Sequence, residues 1–598
     1  MGCTHLDAET CDVAIIGGGP AGSTVGAFIR KYDPSARVLI LEREKFPRDH
    51  VGESQLPAIG SILHEIGAWD KVEAAGFPIK VGATYRWGSN PQLWDFEFIP
   101  PERFRDEPRP AKYEGQRIAT AFQVDRAIYD DILLRHAESL GCEVREETKV
   151  AKIHREHDRV RGLELDGGET VTAKYYIDAS GAAGVLRRAM DIPVQAPKRL
   201  RNMAMWDYWE NAEWAVEIGV GGTRVQILSI GSGWIWFIPL GPTRTSIGFI
   251  CPVEYYKERG VTPAELYREA LEQEPRVRAL TKNAIARGKV ETTKDWSYYA
   301  ERLAGENWFL VGESAGFADP ILASGMTLAH KGAKEVAYTL LDLLRDEPDH
   351  DAKWLKSSYE ETNRNRVRQY IRFAEFWYAA NGQFKDLEKF TAEIAKDAGL
   401  SLSPKAAFRW LSQGGFGHED FFFPGVGGLD LLAIKEVTRL FTVEEGAGWE
   451  INKYNTFKLN LVGARKDHVP IFQGGRIVRA ECYRRGGHIL PLVGAYGAVA
   501  KIVKEQSDGH AILDEFDRLT AGQRPGSVPF APQAISSMES MLLEGWIQGK
   551  VNKKRPPLNY DHLAHAPVHN FHPNADRIPG LEHPATAGST GPVEDTAA

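Results

Sequence analysis

The stretch Asp12-Val13-Ala14-Ile15-Ile16-Gly17-Gly18-Gly19-Pro20-Ala21-Gly22 decides the fold. Residues 12–16 are a short apolar run that ends in a glycine cluster. Residues 20–32 carry apolar side chains at helical spacing, so strand, tight turn and helix follow one another. A second strand over residues 37–41 ends at Glu42 and completes a βαβ unit. Within the turn, Gly17 permits the tight bend, Gly19 lets the backbone approach a pyrophosphate, and Gly22 lets the helix pack close to the strand. The helix start then meets the anion with free N–H groups and the positive end of its dipole. Glu42 falls about 20 residues beyond the glycines, at the strand end where a carboxylate accepts hydrogen bonds from an adenosine ribose. Glycine spacing alone is a weak signal; at a strand-to-helix junction with an acid on the next strand it specifies a dinucleotide site.

Working outward, residues 56–74 read as helical, 81–87 as extended and 124–140 as a helix with one charged face. Strands dominate from residue 143 to 249. The fold class expected is α/β: a Rossmann-like nucleotide-binding domain, built from segments near residues 10–60, 115–185 and 300–345, with an inserted mixed β-sheet substrate domain from about 80–112 and 186–299. This module spans residues 1–345. Past the acidic stretch 346–351 the pattern turns to long charged helices, residues 354–383 and 385–398, which open a mainly helical C-terminal region over 346–550. Its later part, 458–519, mixes short strands with helices. Residues 551–598, rich in Pro, His, Asn and Gly, read as a disordered tail. Their His562, His565, His569 and His572 have no rigid scaffold to organise them, so no metal site is expected.

With 598 residues and 43% apolar side chains, the chain is long enough for two or three packed domains. A net charge of −8 with scattered Lys and Arg argues against a nucleic-acid partner. Five separated cysteines, with no CxxC pair, fit neither a disulfide framework nor a zinc site, and point to the reducing cytoplasm. The most apolar segments are far shorter than the roughly 20 residues a membrane helix needs, so no membrane association is expected. Met1-Gly2-Cys3-Thr4-His5-Leu6 has neither a basic segment ahead of an apolar one nor a hydroxyl residue at position 6, so neither a leader nor a lipid anchor is expected.

Residues 307–311 form an apolar strand running into Gly312-Glu313-Ser314-Ala315-Gly316-Phe317-Ala318-Asp319-Pro320, which resembles the second flavin fingerprint of two-domain FAD oxidoreductases. The resemblance implies that Glu313, where Asp is usual, binds the ribityl chain. Arg126 in Val124-Asp125-Arg126 matches an arginine kept near the flavin phosphates, and Tyr176-Ile177-Asp178-Ala179-Ser180-Gly181 resembles the strand that returns the chain to the nucleotide domain. FAD is therefore the implied cofactor. No second unit of strand, GxGxxG and helix is present for a nicotinamide nucleotide, so FADH2 is expected from a separate NAD(P)H-dependent flavin reductase.

Four segments resemble the flavin-dependent halogenases. They are Gly52-Glu53-Ser54-Gln55-Leu56-Pro57, close to the GESLLP form of enzymes acting on phenols and pyrroles; Phe77 to Gly88; the complete WxWxIP string in Gly233-Trp234-Ile235-Trp236-Phe237-Ile238-Pro239; and residues 317–325, against FxxPxxSxG. The likeness covers about the first 340 residues. It implies that reduced flavin and O2 oxidise a bound chloride or bromide to hypohalous acid. Lys80 then directs that oxidant to the substrate, either as a hydrogen-bond donor or as a haloamine. The backbone amides of Ser324 and Gly325 are the implied halide site, with Ala323 standing where the motif has Ser. Trp234 and Trp236 alternate with Ile235 and Phe237, so both indoles face one side and can wall off the substrate. Leu322 replaces the Glu of tryptophan halogenases, which points to a phenol or pyrrole, free or carrier-protein-tethered. A flavin monooxygenase that hydroxylates its substrate, an isoprenoid-type flavin reductase and a non-catalytic FAD-binding protein are the competing readings on the same scaffold.

Overall fold

Strand β1 (Glu9–Ile16) lies at the centre of a seven-stranded sheet because Val13, Ala14, Ile15 and Ile16 are buried on both of its faces. It pairs in parallel with β2 (Val38–Leu41) on one side and with Thr170–Asp178 on the other. Glu143–Arg145 and Trp308–Leu310 extend the parallel order outward. The antiparallel pair Val150–Glu156 and Arg159–Leu165 flanks it. Helix α1 (Pro20–Tyr32) packs tightly on this sheet, and Gly22 is the reason: a Cβ there would lie 1.9 Å from the Gly17 carbonyl oxygen. Gly17 itself has φ +106°, a conformation in which side chains are strained. This computed structural model describes residues 9–87, 92–99, 103–345, 351–379, 421–422, 425–426, 429–430, 449–523, 529–560 and 568–570.

The second sheet has ten strands. Its central run passes from Asn202–Glu210 through Arg244–Pro252, Gly233–Pro239 and Gly222–Ile230 to β3 (Ile79–Arg86) and β4 (Trp94–Glu97). All of these neighbours are antiparallel except β3 with Gly222–Ile230. Both faces are covered. Trp234, Trp236 and Ile238 join an aromatic core with Tyr85, Trp94 and Trp377, the last from the helix Ala352–Ala379. Ile235 and Phe237 face the opposite core, under the helices Pro263–Gln273 and Pro275–Leu280. The same sheet buries an ionic cluster, with Arg224 against Asp95 at 3.0 Å and against Glu97, and Arg86 paired with both carboxylate oxygens of Glu274. Removing one partner of such a pair costs about 3–5 kcal/mol, because the remaining charge stays buried.

In the C-terminal region, helices Gly494–Glu505, Gly509–Ala521 and Phe530–Leu543 surround a core that includes Phe457, Val499, Phe516, Met538 and Trp546. Short strands are mixed in over 458–519, among them the antiparallel ladder Arg465–Gln473, Arg476–Arg485 and His488–Pro491. The helix expected over 385–398 lies outside the described residues. Part of the stretch read as a disordered tail is folded. The Asn455 amide donates to the carbonyls of Asn552, Arg555 and Pro556, Leu558 is buried, and Val568–Asn570 pairs antiparallel with β4. The physical reason is the edge of β4, whose unpaired backbone groups accept a further strand that composition alone does not reveal. His569 falls in that strand; His562, His565 and His572 lie outside the described residues.

Candidate active site

One cavity of about 990 Å³ runs from the glycine turn of the first sheet to the aromatic face of the second. Gly17, Gly19, Glu42, Arg126, Glu313, Gly325, Lys80, Trp234 and Trp236 all line it. Gly22 and Ser324 do not. Gly22 lies in the first turn of α1, sealed against Gly17 and Ile15, and Ser324 is fully buried with its Oγ donating to the Asp319 carbonyl at 3.3 Å.

At the nucleotide end, α1 starts at Pro20 with Gly19 as its cap and no side-chain hydrogen bond, so its first-turn N–H groups remain for an anion. A Cβ on Gly19 would meet only the Arg48 guanidinium, at 3.6 Å, so the backbone there is open to the cavity. Arg43, Arg48, Arg187 and Arg188 also line this end. The Glu42 carboxylate accepts from the N–H groups of Gly18 (2.7 Å) and Glu44 (2.9 Å); it therefore shapes the loop, and its remaining lone pairs are left for a ribose. An open glycine cradle, uncapped helix N–H groups and a cationic wall fit FAD.

Arg126 donates to both oxygens of Asp130, at 2.7 and 2.9 Å, and to the carbonyls of Val51 (2.9 Å) and Gly52 (3.2 Å). It clamps the start of the Gly52-Glu53-Ser54-Gln55 segment to the helix Arg126–Ser139. Glu313 follows Gly312, whose φ of +66° turns the chain away from the Trp308–Leu310 strand. Burial pushes the Glu313 carboxyl above its ordinary range, and the Arg126 charge partly opposes that shift.

Lys80 is only 2% exposed. Its Nζ donates to the Gln55 carbonyl at 2.9 Å and stands 5.3 Å over the Phe98 ring. Burial lowers its pKa to about 7. A bulge in β3 aims it. Thr223 pairs with Lys80 and Arg224 with Gly82, which leaves Val81 as the extra residue. Val81 turns to a small core with Ile79 and Phe104, while Lys80 shares the cavity with Ala83 and Tyr85. Strict alternation would have grouped Lys80 with Thr84 and Arg86, on the side away from Tyr85.

The indoles of Trp234 and Trp236 lie 6.1 Å apart at 56°. Trp234 donates to the Tyr378 hydroxyl (2.8 Å), and Trp236 donates to Ser246 Oγ (3.1 Å). Gly248 makes room for Trp236, since a Cβ there would sit 2.1 Å from its ring. Tyr378 in turn donates to Asp319 at 3.1 Å, whose other oxygen accepts from Trp296 at 3.1 Å. Burial raises the Asp319 carboxyl to about 6. Asp319 opens the turn that ends at Ala323, which adopts a left-handed φ of +53° before the helix Gly325–Arg345 begins. Gly325 thereby presents the start of that helix to the cavity.

Residues 10–374 match the FAD binding domain family. The tryptophan 2-halogenase of Chondromyces crocatus is 32% identical over 345 residues, 56% of this chain and 62% of that protein. The flavin-dependent halogenase armH3 of Armillaria mellea is 30% identical over 369 residues, 56% of this chain and 68% of the relative. The chain belongs to the flavin-dependent halogenases. It thus spans 62% of the length of the first of these relatives. The crystal structure of the flavin-dependent halogenase CmlS has the same fold over 94% of this chain and 99% of its own, with a TM-score of 0.68 and 24% identity. That likeness in fold extends through the C-terminal region as well.

Three lining or supporting residues escaped sequence reasoning. Glu53 is buried at the cavity wall and accepts from the Tyr208 hydroxyl at 3.0 Å; burial raises its carboxyl to about 7. Trp377 closes the aromatic end from the helix Ala352–Ala379, signalled in sequence only by the helical spacing of Phe373, Phe376 and Trp377. Gln55 supplies the carbonyl that holds Lys80. Among the described residues no cluster of His, Cys, Asp and Glu is arranged to hold a metal ion, and no helix is long and apolar enough to cross a membrane.

Proposed function

We propose that this protein uses FADH2, O2 and a chloride or bromide ion to halogenate an electron-rich aromatic substrate, with Lys80 carrying the active halogen. The observation that carries this reading is a buried amine on the wall of the cavity that also holds the glycine cradle. FAD, when bound and reduced, supplies the chemistry that lets O2 convert halide to hypohalous acid. The first N–H groups of the helix that begins at Gly325, the residue of this turn's Ser324–Gly325 pair that lines the cavity, offer the halide an anion site. Trp234 and Trp236 form a wall that keeps the substrate ring from the flavin.

A lysine of ordinary pKa is about 0.04% neutral at pH 7, whereas one near 7 is about half neutral, a gain of roughly a thousandfold. That favours Lys80 as a nucleophile over a simple donor. Its amine takes halogen from hypohalous acid and releases water. The haloamine then passes halogen to a ring carbon, and the ring proton returns to the amine nitrogen. Around it the cavity offers Tyr85, Phe96, Phe98, Trp206, Ile238 and Trp377, walls without charge. These rings suit the flat, electron-rich ring of a phenol or pyrrole, free or delivered on a carrier protein. The reduced flavin comes from a separate NAD(P)H-dependent reductase.

The test combines the purified protein with FAD, a generic flavin reductase, NADH, bromide or chloride, and a panel of phenols and pyrroles, some tethered to a carrier. Product masses shifted by halogen for hydrogen, and absent without halide, are expected. Oxygenated products formed without halide would make it a hydroxylase, and FAD binding with no product from any substrate would make it a non-catalytic flavoprotein.

A further inference from the structure

Behind the indole wall, three elements meet at one carboxylate. The Trp234 N–H donates to the Tyr378 hydroxyl at 2.8 Å, and the Tyr378 O–H donates to Asp319 Oδ1 at 3.1 Å. The same oxygen accepts from the Ile321 N–H at 3.0 Å, and Oδ2 accepts from the Trp296 indole at 3.1 Å. Trp234 belongs to the strand Gly233–Pro239, Tyr378 to the end of the helix Ala352–Ala379, and Asp319 to the head of the turn Pro320–Leu322. Trp234, Trp296 and the turn line the cavity, whereas Tyr378 and Asp319 stand behind them.

The direction of each bond is forced. An indole N–H only donates, so the Tyr378 oxygen accepts from Trp234 and its own proton goes to Asp319. The Trp296 indole and the Ile321 N–H are donors as well, so the proton of a neutral Asp319 would find no acceptor among these three partners. Burial raises the carboxyl to about 6, which leaves it ionised at neutral pH. Hydrogen bonds to an ionised acceptor are roughly twice as strong as neutral ones, so this hub holds its arms firmly.

Both ends of the link are fixed in turn. The Trp87 indole donates to the carbonyl of Trp377, next to Tyr378, at 2.8 Å, and the Trp87 ring meets the Tyr378 ring edge-on at 5.8 Å. On the other side, the Asp319 side chain caps the turn at Ile321, and its carbonyl accepts from Ser324 Oγ at 3.3 Å. The next residue, Gly325, starts its helix at the cavity wall.

Resting on the halogenase reading, we infer that Tyr378 is a positioning residue: its hydroxyl couples the Trp234 wall to the turn that presents Gly325, and so keeps the barrier and the halide site at a fixed separation. Without that coupling the wall and the turn shift independently, and oxidant is lost before it meets the substrate. Misplacing a reacting group by about 1 Å costs up to a hundredfold in rate.

The experiment compares the wild-type protein with Tyr378→Phe, which removes only the hydroxyl, and with Asp319→Asn, whose amide sets a donor against donors. Tyr378→Phe is expected to keep FAD affinity and the rate of reduced-flavin oxidation within about twofold, while the halide KM rises and halogenated product per flavin oxidised falls, each by about tenfold. Asp319→Asn should lose at least as much, and adding Tyr378→Phe to it should change nothing further, because the link is already broken. Crystal structures should show the Trp234 indole of Tyr378→Phe displaced relative to Gly325. Wild-type halide KM and product yield in Tyr378→Phe, or losses that track a fall in FAD affinity, would overturn the inference. A wild type that never yields halogenated product would instead overturn the halogenase reading. The crystal structures then decide: an unmoved Trp234 in Tyr378→Phe refutes the positioning role, and a displaced one sustains it.

Discussion

Lys80 is the residue at which stability and chemistry oppose each other. Burial lowers its pKa from 10.5 to about 7, so between those values the unfolded chain binds a proton that the folded chain refuses. The resulting destabilisation is absent above about pH 10.5, grows as the pH falls, and is complete below about pH 7, where it amounts to at most roughly 5 kcal/mol. Lys80→Met, apolar and of similar length, should therefore raise the thermal unfolding midpoint at pH 7 and lose that advantage as the pH approaches 10.5. The same variant should consume reduced flavin and O2 yet give no halogenated product. In the wild type, product per flavin oxidised should rise with pH through about 7 as the amine sheds its proton, a titration that calorimetry and product mass follow together. Glu53 makes a second case, with its carboxyl raised from 4.5 to about 7 by burial. Glu53→Gln should be more stable than the wild type at pH 8, with the difference fading below about pH 4.5, where folded and unfolded chains both carry the neutral acid.

Elements show which parts of the molecule sequence could reach. The βαβ unit was legible because each of its signals is local: an apolar strand, glycines at fixed spacing, and an acid at the next strand end. Gly22→Ala tests it, since the new Cβ would sit 1.9 Å from a main-chain oxygen that cannot yield; FAD retention after gel filtration should be lost. The alternation of Trp234 and Trp236 with Ile235 and Phe237 was legible for the same reason. The aim of Lys80 was not. It depends on Val81 being an extra residue relative to Thr223 and Arg224, about 140 positions away, and register between distant strands leaves no local mark. Trp377 was hidden because its helix reads as charged and lies beyond every motif. It packs on Tyr85 at 5.4 Å and on Trp94 at 6.1 Å. Trp377→Phe should keep the fold, raise KM for small phenols and admit bulkier rings, as competition between two substrates of different size would reveal. Trp377→Ala should in addition cost about 3–5 kcal/mol of stability.

At the scale of the whole molecule, the C-terminal region grips the two helices that reach the cavity. The helix Gly325–Arg345 presents its start to the proposed halide site, and its far end is held by the Arg465–Arg485 hairpin: Arg345 donates to the Gly475 carbonyl at 2.8 Å, and Asp342 accepts from the Ile477 N–H at 3.0 Å. The helix Ala352–Ala379 brings Trp377 to the aromatic end, and Arg484 of the same hairpin holds it with two bonds to Glu361, at 2.6 and 3.1 Å. Arg484 also reaches Asp467 at 2.9 Å, so the fork is braced from both sides. Both helices are thus referenced to one hairpin, the first at its C-terminal end and the second at Glu361 within its length, and a loosened hairpin lets the aromatic wall drift relative to the halide turn. Bidentate pairs of this kind contribute about 1–3 kcal/mol when partly buried. Glu361→Ala and Arg484→Ala should each lower the unfolding midpoint and reduce halogenated product per flavin oxidised, while leaving FAD affinity unchanged, because the glycine cradle makes no contact with the pair. The double variant should resemble Arg484→Ala, since that change already removes the link to Glu361 along with the one to Asp467. Thermal midpoints that fall by the sum of the two single losses would show that the residues act separately, and a product ratio equal to that of the wild type would show that the hairpin supports the fold without tuning the site.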